Sequence, residues 1–260
     1  MIVLAHLPST TLLGARRRFC ISQPKQDEHR QGDSSKPVCL LTEESAFSFA
    51  TLSCVISDIA GESLYRIERQ NHAAILQLTS ADGTNRLTRA RVMALAAAVQ
   101  KMAENPPSCL IVSGNERFFS AGADLAEIST LTGAEAFGFA QMGQSLMNAI
   151  AKFPAPTIAA IHGYCMGGGL DLALACSWRI AGAHAIFGHR GAALGLITGW
   201  GGTQRLPRLV GKARAMQMFL AADKVHALQA LHAGLVDTIA DDPVVEALRQ
   251  VLARPTADPR

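Results

Sequence analysis

Two glycine-rich stretches and a single carboxylate carry the chemistry that this sequence can offer. The first stretch is Phe119-Ser120-Ala121-Gly122-Ala123-Asp124-Leu125. The second is His162-Gly163-Tyr164-Cys165-Met166-Gly167-Gly168-Gly169-Leu170-Asp171-Leu172. Each reads as a turn between an apolar strand and a helix. A helix start leaves backbone N–H groups without partners and carries a partial positive charge. Glycines let ligand atoms approach such a backbone closely. Two amides converging from two such turns would hold an oxygen on which negative charge develops. The alternative is that the glycines only permit tight strand-to-helix packing. Other glycine motifs are excluded: no Lys-Ser/Thr completes a phosphate loop, the G-x-G-x-x-G order is missing, and no G-x-S-x-G nucleophile elbow occurs.

The carboxylate is Asp171, at the start of the helix that the second turn opens. No other Asp or Glu occurs between Glu135 and Asp223. A carboxyl group in an apolar cleft has a raised pKa and suits proton transfer near neutral pH. Alternatively, Asp171 only complements the helix dipole, which is worth about 0.3–1 kcal/mol. His189 is the nearest alternative base, although such a histidine can equally cap a strand or face solvent. His162 and His184 fall at strand ends and read as structural. Trp200, between Gly199 and Gly201, either walls a pocket or packs in the core.

These groups must be positioned by alternating strands and helices. Residues 73–78 (AAILQL) and 109–113 (CLIVS) are short apolar runs closed by Asp82-Gly83 and Gly114-Asn115, and read as buried strands. Helical spacing predicts helices over 88–102, 134–152 and 212–222, with Pro106-Pro107 and Pro154 as stops. Residues 157–162 and 178–183 read as further strands. The pattern predicts an α/β fold with mostly parallel, apolar strands.

The two turns, with Gly195-Leu196, Gly201-Gly202-Thr203-Gln204-Arg205-Leu206-Pro207, Gly234-Leu235-Val236-Asp237 and the weaker Asn85, resemble the enoyl-CoA hydratase/isomerase (crotonase) family. Matching positions run from about residue 65 to 240. The resemblance implies a spiral of strand-strand-helix repeats, a bound acyl-CoA thioester, and a homotrimer or dimer of trimers. It implies no cofactor beyond the coenzyme A of the substrate, and no metal. By position, the oxyanion donors would be the backbone amides of Ala123 and Gly168. Ala121, Gly122, Ala123, Asp124 and Leu125 would line the CoA-binding turn, and Trp200 the acyl pocket. Hydratases of the family use two glutamates. Here the first position is Asp171 and the second is Gly191, which cannot act as acid or base. Dienoyl-type isomerases place Asp at the first position but add acids where this chain has Gly191 and Gly199. Isomerisation by one carboxylate is therefore expected over two-acid hydration. A binding protein with reduced catalysis, or a thioester hydrolase or decarboxylase, is the alternative.

The 260 residues are 49% hydrophobic and 17% charged, enough for one sizeable domain plus an appendage. The net charge of +3 gives no reason to invoke nucleic acid and suits a polyanionic small molecule. Six cysteines without C-x-x-C pairs suggest neither a disulfide framework nor a zinc site. No apolar run reaches the roughly 18 residues of a membrane span. Residues 1–62 read as a disordered or partly ordered extension, and 63–260 as the crotonase-like domain with its C-terminal helical part shortened, since Pro255 and Pro259 disfavour a further helix. Location in the cytoplasm is expected, or in mitochondria if the acid-poor, Arg-containing residues 1–26 are a transit peptide.

Overall fold

A computed structural model of the chain describes residues 53–59, 62–70 and 72–253. The leader and linker expectations, on residues 1–26 and 26–36, lie outside the described residues. The fold begins with β1 (Ser53–Ile59), β2 (Glu62–Gln70) and β3 (Ala73–Leu78), paired antiparallel in that order. Strand β1 and the first residue of β2 thus fall within the stretch read as an extension. Helix α1 (Arg89–Glu104), whose N-terminal N–H of Arg91 is capped by the Thr88 hydroxyl, leads into β4 (Cys109–Ser113), parallel to β3.

Three strand-strand-helix turns follow, and they place the site. The first runs through β4, β5 (Phe118–Ser120), α2 (Leu125–Ser129) and α3 (Gly133–Ala151). The second comprises β6 (Thr157–Ile161), β7 (Tyr164–Met166) and α4 (Gly168–Ala175). The third comprises β8 (Trp178–Gly182), β9 (Ile186–Gly188), a 3-10 turn over Gly191–Leu194, and α5 (Gly202–Val210). The chain continues through α6 (Lys212–Ala221), β10 (Val225–His226), α7 (Ala227–His232), β11 (Thr238–Ala240) and α8 (Pro243–Ala253). The large sheet has the order β1-β2-β3-β4-β6-β8-β11, and the small one β10-β9-β7-β5. This is the expected α/β spiral, with β3, β4, β6, β8 and β11 parallel.

Buried, uninterrupted apolar runs form the parallel strands because both sheet faces are covered. Leu110, Val112, Ala159 and Ile161 face the main core, together with Leu95 and Val99 of α1 and Leu146, Met147 and Ile150 of α3. Their alternate neighbours Ile111, Ile158, Ala160 and Ile180 face the other way, onto Ala247, Val244, Leu248 and Val251 of α8. Burying each such aliphatic side chain contributes about 1.5–3 kcal/mol.

Helix α8 corrects the expectation that no further helix follows Asp237. Pro243 sits in its first turn, where it lacks only an N–H that would be unpaired. The Asp242 carboxylate accepts from the amides of Val244 and Val245 at 2.8 and 3.1 Å. Residues 202–210, left without a helix in the sequence reading, form α5 despite Pro207. The Gly234-Leu235-Val236-Asp237 motif has a structural role. Buried Arg179 donates to the Leu235 carbonyl (2.8 Å) and to the Asp237 carboxylate (3.0 Å), docking the C-terminal segment on β8. Cys109, Cys165 and Cys176 are buried. Among the described residues, no helix is long and apolar enough to cross a membrane.

Candidate functional site

The first glycine-rich turn follows β5, a strand of three residues, and is held by the loop after β3. Asn85 is fully buried with φ +51°, a region that asparagine tolerates better than most residues. Its side-chain amide donates to the carbonyls of Phe118 and Phe119 at 3.0 and 3.3 Å. In return the Ser120 hydroxyl donates to the Asn85 carbonyl at 2.7 Å and accepts from the Gly122 amide at 3.1 Å. The amide of Ala121 donates to Thr84, and that of Leu87 to Gly122, at 2.9 and 2.8 Å. Gly122 has φ +95°, and a Cβ there would stand 2.6 Å from the Met166 carbonyl and 3.1 Å from the Gly168 amide nitrogen. A Cβ on Gly168 would lie 3.3 Å from the Ala123 nitrogen. The backbones of the two turns are therefore in contact, and the amides of Ala123 and Gly168 are neighbours.

The second turn follows β7 and opens α4. Gly168 is the first residue of that helix, so its amide has no intrahelical acceptor. Asp171 lies one turn on and is 1% exposed. Its Oδ2 accepts from the Thr198 hydroxyl, and the backbone at Trp200 and Gly202 favours the ionised carboxylate. Its Oδ1 faces Nε2 of His189 at 3.4 Å. Gly202 makes that approach feasible: a Cβ there would overlap Oδ1 and stand 3.0 Å from Nε2. Burial pushes the Asp171 carboxyl up to about 7, against the lowering effect of its hydrogen bonds and of Arg205. Burial pushes the His189 imidazole down to about 4. Both side chains are thus held toward their neutral forms by the loss of water around them.

His189 directly follows β9 and does not face solvent. It is 4% exposed, with its ring 5.2 Å from that of Phe219 on α6. Gly191 begins the 3-10 turn, and a Cβ there would come within 2.6 Å of the Leu196 carbonyl. Backbone fills the space that a side chain at 191 would need. Trp200 is 4% exposed and wedged between α3 and α4. A Cβ on Gly168 would stand 2.6 Å from its six-membered ring, and one on Gly143 would overlap its Nε1. Its indole N–H donates to the Phe139 carbonyl at 3.3 Å.

These groups enclose a cavity of about 480 Å³. Ala121, Gly122, Ala123, Leu125, Gly168 and Trp200 line it, as do Asp171 and His189. Asp171 is the one carboxylate in the lining; the rest is mostly apolar, including Ile128, Phe139, Met166 and Phe219. Asp124, grouped with its neighbours from sequence, turns elsewhere. Its carboxylate caps α2 through the amides of Ala126 and Glu127 (2.8 and 3.3 Å) and pairs with Arg86 at 3.4 Å. His162 and His184 are not among the lining residues. Sequence reasoning missed Thr198 and the clearance role of Gly202. Thr198 is 27 residues from Asp171 with no periodic relation to it, whereas Gly202 stood within a quoted motif. Such a cavity can take an apolar chain, hold a developing oxyanion on two amides, and exchange a proton at one buried acid.

Comparison with known proteins agrees with this geometry. Residues 68–259 match the family model described as enoyl-CoA hydratase/isomerase. A crotonyl-CoA hydratase of Syntrophomonas wolfei is 37% identical over 175 residues, 66% of this chain and 67% of that protein. A Bacillus subtilis protein named "Probable enoyl-CoA hydratase" is 45% identical over 148 residues, 56% of this chain and 57% of its own. The chain thus spans between about half and two thirds of these relatives. The crystal structure of an enoyl-CoA hydratase from Bacillus anthracis superposes with a TM-score of 0.67 at 30% identity, over 78% of this chain and 77% of that one. With the spiral fold, the paired turns and these likenesses together, the chain belongs to the enoyl-CoA hydratase/isomerase family.

Proposed function

We propose that the protein moves a carbon–carbon double bond in an acyl-CoA thioester, with Asp171 as its acid/base and the amides of Ala123 and Gly168 as its oxyanion hole. The observation that supports this best is the composition of the cavity wall: one buried carboxyl, pushed up to about 7, shares it with two adjoining amides. In a 3-enoyl thioester the ionised Asp171 takes a proton from the α-carbon. The C–H electron pair moves through the thioester onto its oxygen, and the two amides bind the resulting dienolate. The same proton is then returned to the γ-carbon as the electron pair moves back, leaving the conjugated 2-enoyl thioester. No atom is gained or lost. Each oxyanion donor contributes about 3–4 kcal/mol of transition-state stabilisation. An acid with a pKa near the working pH suits both proton transfers. Hydration would need a second group to handle the added water, and the backbone at Gly191 leaves no side chain there.

The test compares two reactions of the purified protein. Conjugation of a 3-enoyl-CoA is followed by absorbance, and hydration of crotonyl-CoA by mass. Isomerisation is expected to dominate and to fall by roughly 10²–10⁴-fold in Asp171→Asn. Hydration faster than isomerisation would refute the reaction, and undiminished turnover by the variant would refute the role of Asp171. Binding of CoA esters with no turnover of either would instead establish a binding protein.

A further inference from the structure

The one pair of buried side-chain polar atoms without hydrogen-bond partners among the described residues lies in this site: Oδ1 of Asp171 and Nε2 of His189. They belong to side chains 1% and 4% exposed, and they face each other at 3.4 Å. An unpartnered buried polar atom is destabilising, so two that face one another call for a common explanation. One hydrogen between them satisfies both. We propose that His189 is a positioning residue, which donates its Nε2–H to Oδ1 of ionised Asp171 and so orients the carboxylate and sets the pH at which it works. This rests on the reading of Asp171 as the acid/base.

Several features of the surroundings fit this assignment. Thr198 already donates to Oδ2, so a donor on Oδ1 holds the carboxylate from both sides. Gly202, on a third segment, provides the clearance, because any larger residue would put a carbon atom against Oδ1 and 3.0 Å from Nε2. The other titratable groups facing Asp171 are Arg205 of α5, whose charge favours the ionised form, and Cys165 of β7, whose thiol burial keeps protonated. Against His189, α6 presents the ring of Phe219, and among the described residues the carboxylate within ion-pair distance of the imidazole is that of Asp171. Burial depresses the His189 pKa, which keeps the ring neutral; a neutral ring can donate from Nε2 without adding a charge. The 3.4 Å separation is that of a loose contact, and such bonds tighten when the site takes up substrate or ionises.

Two variants of the full chain and one spectrum test this. His189→Phe removes the donor and keeps an aromatic ring beside Phe219. It is expected to lower kcat for 3-enoyl-CoA isomerisation by roughly tenfold or more, with little change in KM. It should also move the acid limb of the kcat/KM profile up by about one pH unit. His189→Gln restores an N–H donor and should bring both the limb and most of kcat back. A limb that stays at the wild-type pH in both variants, or a glutamine no better than phenylalanine, overturns the proposal. Should either variant fail to fold, ¹⁵N NMR of the unsubstituted protein decides. A neutral ring carrying its proton on Nε2, with shifts that change in Asp171→Asn, supports the pairing; a proton on Nδ1, or indifference to that change, refutes it. If Asp171→Asn retains isomerisation, the acid/base reading fails on its own, and the spectrum still judges the contact.

Discussion

Replacing Asp171 with asparagine should stabilise the fold, and by an amount that depends on pH. The unfolded chain releases the Asp171 proton near the ordinary value of 3.8, whereas the native state holds it to about 7. Below about pH 4 both states are protonated and the residue contributes no difference. Between about pH 4 and 7 the native state binds the extra proton, so stability falls as pH rises. Above that both states are ionised and the full penalty remains. Each tenfold change in proton affinity is worth about 1.4 kcal/mol, so the rise to about 7 amounts to roughly 4 kcal/mol. Asparagine never ionises and escapes this. Its altered bond with Thr198 adds an offset that does not vary with pH. His189 has the opposite linkage: its depressed pKa makes stability rise with pH from about 4 to 6.5. That contribution is common to both proteins and largely drops out of their difference. Urea unfolding of both proteins at about pH 4.5, 6 and 8 should show the gap in favour of Asp171→Asn widening by about 3–4 kcal/mol. A gap constant within about 1 kcal/mol would mean that Asp171 is ionised without penalty, and would remove the physical basis for its role.

Two further substitutions follow from the packing. Gly202→Ala places a methyl group against Oδ1 of Asp171, and the resulting displacement should lower isomerisation kcat by roughly 10²-fold; a rate within twofold of wild type would show that the carboxylate need not sit where it does. Asn85→Ala removes the side-chain bonds to the Phe118 and Phe119 carbonyls and leaves both buried, at a cost of about 1–3 kcal/mol in denaturant unfolding. It should also lower kcat more than it raises KM, because the loop it anchors carries the Ala123 amide; an unchanged kcat would separate Asn85 from the proposed oxyanion hole.

Four of the seven strands of the large sheet were legible in the sequence because they are apolar runs bounded by turn residues, whereas β1, β2 and β11 were not. The runs AAILQL and CLIVS coincide with β3 and β4, and residues 157–161 and 178–182 with β6 and β8. The small sheet was not, because β5, β7 and β9 have three residues each, too few for any period. Their strand conformation comes from partners elsewhere in the chain, such as Tyr164 and Cys165 of β7 against Ile186 and Phe187 of β9. Helix α5 was hidden by Pro207, and α8 by the prolines beyond its end. In the site, the glycine turns could be read because their backbone geometry demands particular residues. Asp171 could be read because no other acid is near it in sequence. His189 was visible as a base but not as a partner, since its distance from Asp171 is set by how β9 and α4 pack.

The glycine at position 191 acquires a different meaning once its surroundings are known. From sequence it reads only as a position that cannot act as acid or base. In the structure the chain there tightens into a 3-10 turn, and the Leu196 amide bonds the Gly191 carbonyl at 2.8 Å. A side chain at 191 would start 2.6 Å from the Leu196 carbonyl, so it could not enter without moving that turn. Nearby, Trp200 is packed among Gly143, Gly168 and Phe139, and brings indole surface to the cavity beside the Gly168 amide. Backbone and indole together make the region around the single acid close-fitting and apolar. Such a wall disfavours an activated water and strengthens electrostatic contacts with the two amides. A mostly apolar cavity with Asp171 as the one carboxylate in its lining fits the proposed return of a proton to carbon better than addition of water across a double bond.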